Sequence, residues 1–259
     1  MAELTITFLG TGTSQGVPMI GCNCPVCTSE DPRDKRTRSS IYVESPECTW
    51  VVDTGTDFRA QFLREKITKL DAVVYTHSHT DHIMGFDDLR PFCMPDILMP
   101  IYASAETMTD LKRVFNFAFN GENLFPGYVR PDPHIIDGPF YLGETELVPL
   151  PVKHGRANVN GYLFNRHGQS LAAYISDCKV VPDAVIERIA GTKILIIDAL
   201  RHKLHPTHMN IEEALAVAEK VRPGETWFTH ICHDLAHGET GKTLPPGVRI
   251  AYDGLKLTV

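Results

Sequence analysis

The sequence predicts a layered α/β protein: two β-sheets stacked face to face, with helices on the outside. Three observations predict it. Apolar runs of strand length recur along the whole chain. Two strand-rich portions are each followed by helical stretches. The 259 residues are 43% hydrophobic, which is ordinary globular composition with ample core for a layered architecture. No short-period repeat, low-complexity linker or domain boundary stands out, so residues 1–259 read as one domain.

The elements follow in order. LTITFLG at 4–10 alternates, is β-branched and reads as a strand. A Gly- and Cys-rich loop comes next, with its cysteines inside 21–28, and then the charged stretch DPRDKRTR. SSIYVES and TWVVDTG are two strands joined by a turn at Ser45-Pro46, and 57–66 has a helical pattern. DAVVYTH at 71–77 is an apolar run of the buried-strand type. Residues 104–119 are helical in pattern, and 120–140, rich in Gly, Pro and Asp, reads as loop. Strands recur at 144–150, 159–164, 170–176 and 193–198. A helix at 211–221 starts after Asn210, a good N-cap, and stops at Pro223-Gly224. TWFTHI and VRIAYDGLKLTV supply the last strands.

Composition excludes some functions. A net charge of -7 argues against a general affinity for nucleic-acid backbones. The start, MAELTITFLG, lacks the basic and long apolar regions of a signal peptide. No apolar stretch approaches the ~20 residues that span a bilayer, so the expected setting is cytoplasmic, without a membrane partner. Among seven cysteines, Cys22, Cys24 and Cys27 crowd into six positions. In such a setting this reads as metal binding rather than a disulfide framework. Cys48, Cys93, Cys178 and Cys232 are scattered and read as small core residues.

The strongest signal is THSHTDH at 76–82, directly after a buried strand. A lone histidine on such a loop is ordinarily inconsequential. Three His and one Asp within six residues, His77, His79, Asp81 and His82, are hard to explain by packing. Their nitrogen and carboxylate donors suit Zn²⁺, Mn²⁺ or Fe²⁺. His154, Asp177 and His230 each end a further apolar strand. Strand ends of this kind gather on one rim, and a carboxylate such as Asp177 can bridge two cations about 3.5–4 Å apart. Asp53, in VVDTG, reads either as a turn-forming residue or as an acceptor that orients a ligand histidine.

HSHTDH, preceded by Asp53 and followed by His154, Asp177 and His230, resembles the metallo-β-lactamase superfamily, in the same order along the chain. The resemblance implies an αββα sandwich, two mixed β-sheets flanked by helices, with metals at one edge. It implies His77, His79 and His154 on a first divalent ion, Asp81, His82 and His230 on a second, and Asp177 bridging, the ions being Zn²⁺ or Mn²⁺. A bridging Asp and a final His look like the phosphodiesterase branches, which include the tRNA 3′-processing nucleases. True lactamases place a Cys near Asp177, and here Cys178 follows an intact Asp and reads as packing.

GCNCPVC is a C-x-C-x₂-C loop whose three thiolates leave one corner of a tetrahedral structural Zn²⁺ site to fill. His233, three residues after His230, is the natural fourth ligand, with His237 as runner-up. This loop, the opening Gly10–Pro18 (GTG…QGVP), His77–Gly85 and Thr229–His233 together are similar to the PhnP-type phosphoribosyl cyclic phosphodiesterases. PqqB-type proteins share the Cys loop but are longer. The PhnP resemblance implies hydrolysis of a small phosphodiester by water activated between two metals, with a histidine donating to the leaving group. His208, in HPTHMN, falls at that place, with His202 and His205 as neighbours. Asp81 or Asp177 could accept the nucleophile's proton. The other readings are a tRNase Z-like ribonuclease, a lactonase or thioesterase on the same metals, and a non-catalytic metal protein. The last would predict a missing ligand, and the first a basic RNA-gripping arm, which 120–140 does not supply. Beyond the substrate, a second copy of the chain is an open partner.

Overall fold

The computed structural model describes residues 4–93, 97–121 and 127–259. The chain opens with β1 (Thr5–Gly10), β2 (Ser40–Glu44), β3 (Thr49–Val52), α1 (Phe58–Glu65) and β4 (Ala72–Val74). A one-turn helix α2 (Thr80–Ile83), β5 (Met99–Ala103), α3 (Ala105–Val114), α4 (Asn116–Phe119) and β6 (Pro131–Ile135) follow. Next come β7 (Phe140–Leu142), β8 (Thr145–His154), β9 (Ala157–Arg166), β10 (Gln169–Ile175), α5 (Asp183–Ile189) and β11 (Ile194–Asp198). The chain closes with α6 (Ile211–Val221), β12 (Glu225–Thr229), α7 (His237–Thr243), β13 (Val248–Ile250) and β14 (Lys256–Thr258).

The strands form two mixed sheets, ordered β14-β1-β2-β3-β4-β5-β6 and β13-β12-β11-β10-β9-β8-β7. Side-chain alternation along each strand builds three apolar layers. Val52, Val74, Tyr174 and Ile196 point between the sheets, where Trp50 meets Phe164 edge-on with ring centroids 5.8 Å apart. Val51 and Val73 point outward onto Phe58 and Phe62 of α1 and Met108 and Leu111 of α3. Leu195 and Ile197 point outward onto Val185 and Ile189 of α5 and Ala214 and Ala218 of α6. This is the expected αββα sandwich. Each large side chain so buried contributes about 1.5–3 kcal/mol.

Several elements differ from the sequence expectation. The stretch 120–140 holds β6 and the start of β7, while 122–126 lie outside the described residues. Pro131 and Pro133 argued for loop, but β6 is an edge strand, where a missing N–H costs no ladder bond. The helical pattern at 104–119 breaks at Phe115 into α3 and α4. β5, α5 and α7 were not anticipated at all. α6 has the expected Asn210 cap, as a full capping box with Glu213, but Arg222 in a left-handed conformation ends it, ahead of Pro223-Gly224. The C-terminal stretch divides: β13 edges one sheet, and β14 crosses to pair with β1 of the other.

Candidate metal centre

Strand direction explains why distant residues meet. β3 and β4 run parallel, as do β10, β11 and β12. β8 is antiparallel to β9, itself antiparallel to β10, so β8 also runs with β10. The C-terminal ends of β3, β4, β8, β10, β11 and β12 therefore gather on one edge. Asp53, His77, His154, Asp177, Asp198 and His230 sit at or just past those ends. The sheets are tied beneath them by Tyr162 Oη donating to the Tyr75 carbonyl (2.6 Å) and Asn160 N–H donating to the Thr76 carbonyl (3.1 Å).

Two glycines set the loop that carries His77 to His82. A side chain at Gly55 would run into the Asp81 carbonyl, and one at Gly85 into the Gly55 carbonyl. The Asp53–Gly55 turn thus packs directly on α2, with Thr54 N–H donating to the His82 carbonyl and Gly85 N–H to the Thr54 carbonyl, both at 2.8 Å. Asp53 and His230 hold left-handed backbone, φ 67° and 58°. Non-glycine residues pay strain for that conformation, and such strain clusters at functional sites.

The donor atoms converge as two adjoining sets. Ligand atoms of His77, His79 and His154 lie within 4.8 Å of one another, as do those of Asp81, His82 and His230. Asp177 lies between them, Oδ1 3.1 Å from His230 Nε2 and Oδ2 3.2 Å from His82 Nε2. His82 Nε2, both His230 nitrogens and Asp177 Oδ2 are buried without a hydrogen-bond partner among the described residues. Buried polar atoms are almost always paired, and the unpaired Nε2 atoms of His82 and His230, both beside Asp177, fit a divalent cation. His77 Nε2 and His79 Nδ1 lie 2.9 Å apart, a gap that a shared proton or a shared cation fills.

The outer nitrogens are fixed. Asp53 is fully buried and accepts from Thr76 N–H (2.8 Å), Thr76 Oγ1–H (2.8 Å) and His82 Nδ1–H (2.7 Å). The Thr76 hydroxyl in turn accepts from His77 Nδ1–H at 2.9 Å. Asp53 is therefore an orienting acceptor, through one carboxylate, for a histidine in each set. His154 Nδ1–H donates to the Thr207 carbonyl (2.8 Å), leaving its Nε2 for the centre.

His208 lies on the rim, its ring 4.5 Å from that of His230 and 4.4 Å from that of His154. Its Nδ1 shares a proton with Asp198 Oδ2 at 2.7 Å. Sequence reasoning missed Asp198, although it ends the apolar run ILIID just as Asp177 follows AAYIS. His202 is exposed, and His205 lies beyond His208 with ring centroids 5.2 Å apart.

Charge is finely opposed here. Burial and neighbouring His82 push His77 well down. Burial also disfavours charged His230, but Asp177 outweighs it and raises the imidazole to about 9. Asp177 is held well below the carboxylate range against its burial by His230 and His82. Burial and His230 push His208 down to about 3, and burial pushes Asp198 up. The packed carboxylates demand positive charge, which protons on His82 and His230 or divalent cations can supply.

Cys22, Cys24, Cys27 and His233 form a separate cluster, its ligand atoms within 4.8 Å of one another. Cys22 Sγ and Cys24 Sγ lie 3.2 and 3.4 Å from His233 Nδ1. A tetrahedral zinc with Zn–S about 2.3 Å and Zn–N about 2.0 Å separates S from N by about 3.5 Å. The Cys27 N–H lowers Cys24 to about 6, toward the thiolate that binds metal. His237 is engaged elsewhere, its Nδ1 3.3 Å from Arg36 Nη2.

Comparisons with known proteins place the chain among relatives of one fold. The profile of the beta-lactamase superfamily domain matches residues 49–231. A solved structure described as a new diphosphatase from the PhnP family is 44% identical, with TM-score 0.92 over 99% of this chain and 97% of its own. Zn²⁺-bound PqqB from Methylobacterium extorquens shares the fold, with TM-score 0.77 at 21% identity over 98% of this chain and 100% of its own. An octanoyltransferase of Porphyromonas gingivalis is 35% identical over 97% of this chain. The chain spans about half, 51%, of that protein's length. No helix among the described residues is long and apolar enough to cross a membrane.

Proposed function

The chain belongs to the β-lactamase superfamily and, within it, to the PhnP family of hydrolases, and from that premise we propose that it hydrolyses a small, cyclic ribosyl-type phosphodiester with two divalent metals. The observation that carries the reading is the His208–Asp198 pair on the rim of two adjoining ligand sets that share Asp177. His77, His79 and His154 would hold one ion, Asp81, His82 and His230 the other, and Asp177 both, as Zn²⁺ or Mn²⁺. When bound, such ions neutralise phosphate charge and bring the pKa of water toward neutrality. Cys22, Cys24, Cys27 and His233 would hold a structural Zn²⁺.

The chain's own groups do the rest. Asp53 fixes His82 directly and His77 through Thr76, so that both Nε2 atoms face the centre. Asp81 is the more open carboxylate, 12% exposed against 3% for Asp177, and takes the proton of the attacking water. Asp198 holds His208 Nδ1, which turns Nε2 toward the departing oxygen. With Asp198 raised and His208 lowered by burial, the shared proton sits toward Asp198 and the ring carries its own on Nε2. As Nε2–H passes to the departing alkoxide, the shared proton moves onto Nδ1 and leaves Asp198 a carboxylate. A second reading, cleavage of a diphosphate linkage, is favoured by the PhnP-family diphosphatase at 44% identity. Departing phosphate needs less proton help, so the two readings differ in what they ask of His208.

The test combines metal analysis with a substrate panel: a 2′,3′-cyclic nucleotide, bis(4-nitrophenyl) phosphate, a dinucleoside diphosphate and a lactone. Turnover of the phosphate esters, lost in His79→Ala and Asp177→Ala proteins that remain folded, is expected. Turnover of the lactone alone, or full activity with one metal per chain, overturns the reading.

A further inference from the structure

The outer nitrogens of His77, His82 and His154 are held, by Thr76 Oγ1, Asp53 and the Thr207 carbonyl respectively. His79 differs. Its Nδ1 faces His77 Nε2 at 2.9 Å, and its ring has no other hydrogen-bond partner among the described residues. It is also the exposed member of its set, where His77 and His154 are buried. The place of this ring is therefore set by the backbone on either side, Ser78 before it and α2 directly after it.

The Ser78 side chain turns to α3. Its hydroxyl donates to Asp110 Oδ2 at 2.6 Å, and Asp110 Oδ1 accepts from Arg113 Nη2 at 2.9 Å. α3 is a firm support. It follows β5 after a single residue, Ser104, whose side chain caps it by accepting from Thr107 N–H at 3.2 Å, and it buries Thr107, Met108 and Leu111. β5 pairs in parallel with β4, the strand that leads into the histidine loop, and Tyr75 N–H extends that pairing to the Tyr102 carbonyl at 2.8 Å. One turn before Asp110, Glu106 Oε2 accepts from Asn158 Nδ2 at 2.6 Å. Asn158 stands opposite Lys153 on the β8–β9 hairpin, one step from His154. One face of α3 thus reaches both segments that carry His77, His79 and His154. Asp81 and His82 are held separately, on α2 against the Asp53–Gly55 turn.

We propose that Asp110 is a positioning residue for the first metal site: through Ser78 it fixes the His79 segment, and its loss weakens the ion held by His77, His79 and His154 while sparing the one held by Asp81, His82 and His230. This role rests on the two-metal reading and assigns Asp110 to one half of that centre. Asp110 touches neither ion nor substrate. A charge-assisted hydrogen bond from a packed helix places the loop ligand before the ion arrives, and so spares part of the ordering that binding would otherwise cost.

The experiment titrates Mn²⁺, which thiolates bind poorly, and reads the free ion by electron spin resonance. Asp110→Ala, Asp110→Asn and Ser78→Ala are compared in the otherwise wild-type chain and in two single-ion backgrounds: His230→Ala, which keeps the first set whole, and His79→Ala, which keeps the second. In the His230→Ala background, Asp110→Ala and Ser78→Ala are each expected to weaken the remaining ion by about 3–10-fold, the value of one hydrogen bond. Combined, they should cost no more than either alone, because they break the same contact. Asp110→Asn keeps an acceptor oxygen and should retain most of the affinity. In the His79→Ala background no variant should change the affinity, and in the otherwise wild-type chain one of the two ions should weaken by the same factor. A residue that merely stiffens the surface would lower the melting temperature of the ion-free protein and leave every affinity in place. Equal affinities with and without Asp110 in the His230→Ala background, or equal weakening in both backgrounds, overturn the proposal. If wild type binds two ions yet cleaves no phosphate ester, the phosphodiester reading fails, and the same titration still decides Asp110. Fewer than two ions on wild type overturns both.

Discussion

Asp53→Asn isolates the orientation of the metal ligands from everything else at the centre. Asn is close in size and tolerates left-handed backbone best after glycine, so the φ of 67° persists. What changes is one oxygen. Asp53 Oδ1 accepts from Thr76 N–H, and Oδ2 from both Thr76 Oγ1–H and His82 Nδ1–H. With the Asn oxygen kept on Thr76 N–H, its amide group points N–H bonds at the His82 N–H. A buried donor left unpaired costs about 1–3 kcal/mol. For a chain of this size that lowers the melting temperature by about 2–12 °C. The effect on metal is the sharper consequence. His82 loses its acceptor outright, and His77 loses it at one remove as Thr76 reorients. Losing such an orienting contact weakens metal binding by about 10–100-fold, and here it reaches one histidine in each ligand set. Competition against a chelator of known affinity measures this, with unfolding recorded at saturating metal. A protein that melts lower but binds both ions with wild-type affinity would show that Asp53 only builds the turn, and the orientation argument would fail.

His208→Ala should leave turnover of bis(4-nitrophenyl) phosphate, whose leaving group needs no proton, nearly unchanged while slowing an alkyl or ribosyl cyclic phosphate by about 10²–10⁴-fold; equal slowing of both would move the acid role to His205, His202 or water. Cys24→Ser should lose one zinc equivalent by elemental analysis and melt well below wild type, since a structural zinc contributes its binding energy to folding; unchanged metal content and stability would refute a zinc there. Arg166, buried on β9, pairs at 2.8 Å with Glu47 in the β2–β3 turn of the opposite sheet. That hydrogen bond lowers Glu47 from the ordinary 4.5 to about 2. A carboxyl depressed in the folded state stabilises above its unfolded value and loses that contribution as pH falls through the folded one. Glu47→Gln should therefore melt below wild type above pH 4.5, with the difference shrinking toward pH 2 in a melting series; a constant difference would rule out the ion pair as its cause.

The legible parts of the sequence were those with a local signature. Strand-end His and Asp residues announced the centre because buried strands are short apolar runs and their ends are where polar groups surface. The Cys loop announced its cluster by spacing, and His233 was nameable because the turn after β12 fixes its distance from His230. Asp198 carried the same strand-end signature and went unread, since one carboxylate after ILIID has no neighbouring ligand to mark it. The choice of His208 over His202 and His205 depends on the Leu200–Met209 closure of the loop, a pairing no local pattern encodes. β6 was hidden by its prolines, which signal loop everywhere except on an edge.

Each ligand set draws on both sheets. His77 and His79 follow β4 of one sheet while His154 ends β8 of the other, and Asp81 and His82 on α2 face His230 past β12. A cation in either set therefore ties the sheets together at the edge where the apolar layer between them runs out. Packing alone would be weakest there, because Asp53, Asp177 and Asp198 are fully or nearly fully buried and repel one another. The strained backbone at Asp53 and His230 lies at the same edge. The features that cost the fold stability thus coincide with the place where bound cations would return it. The His208–Asp198 pair lies at the same buried edge, where burial lowers the imidazole and raises the carboxyl, so one proton is held between two neutral groups instead of an ion pair.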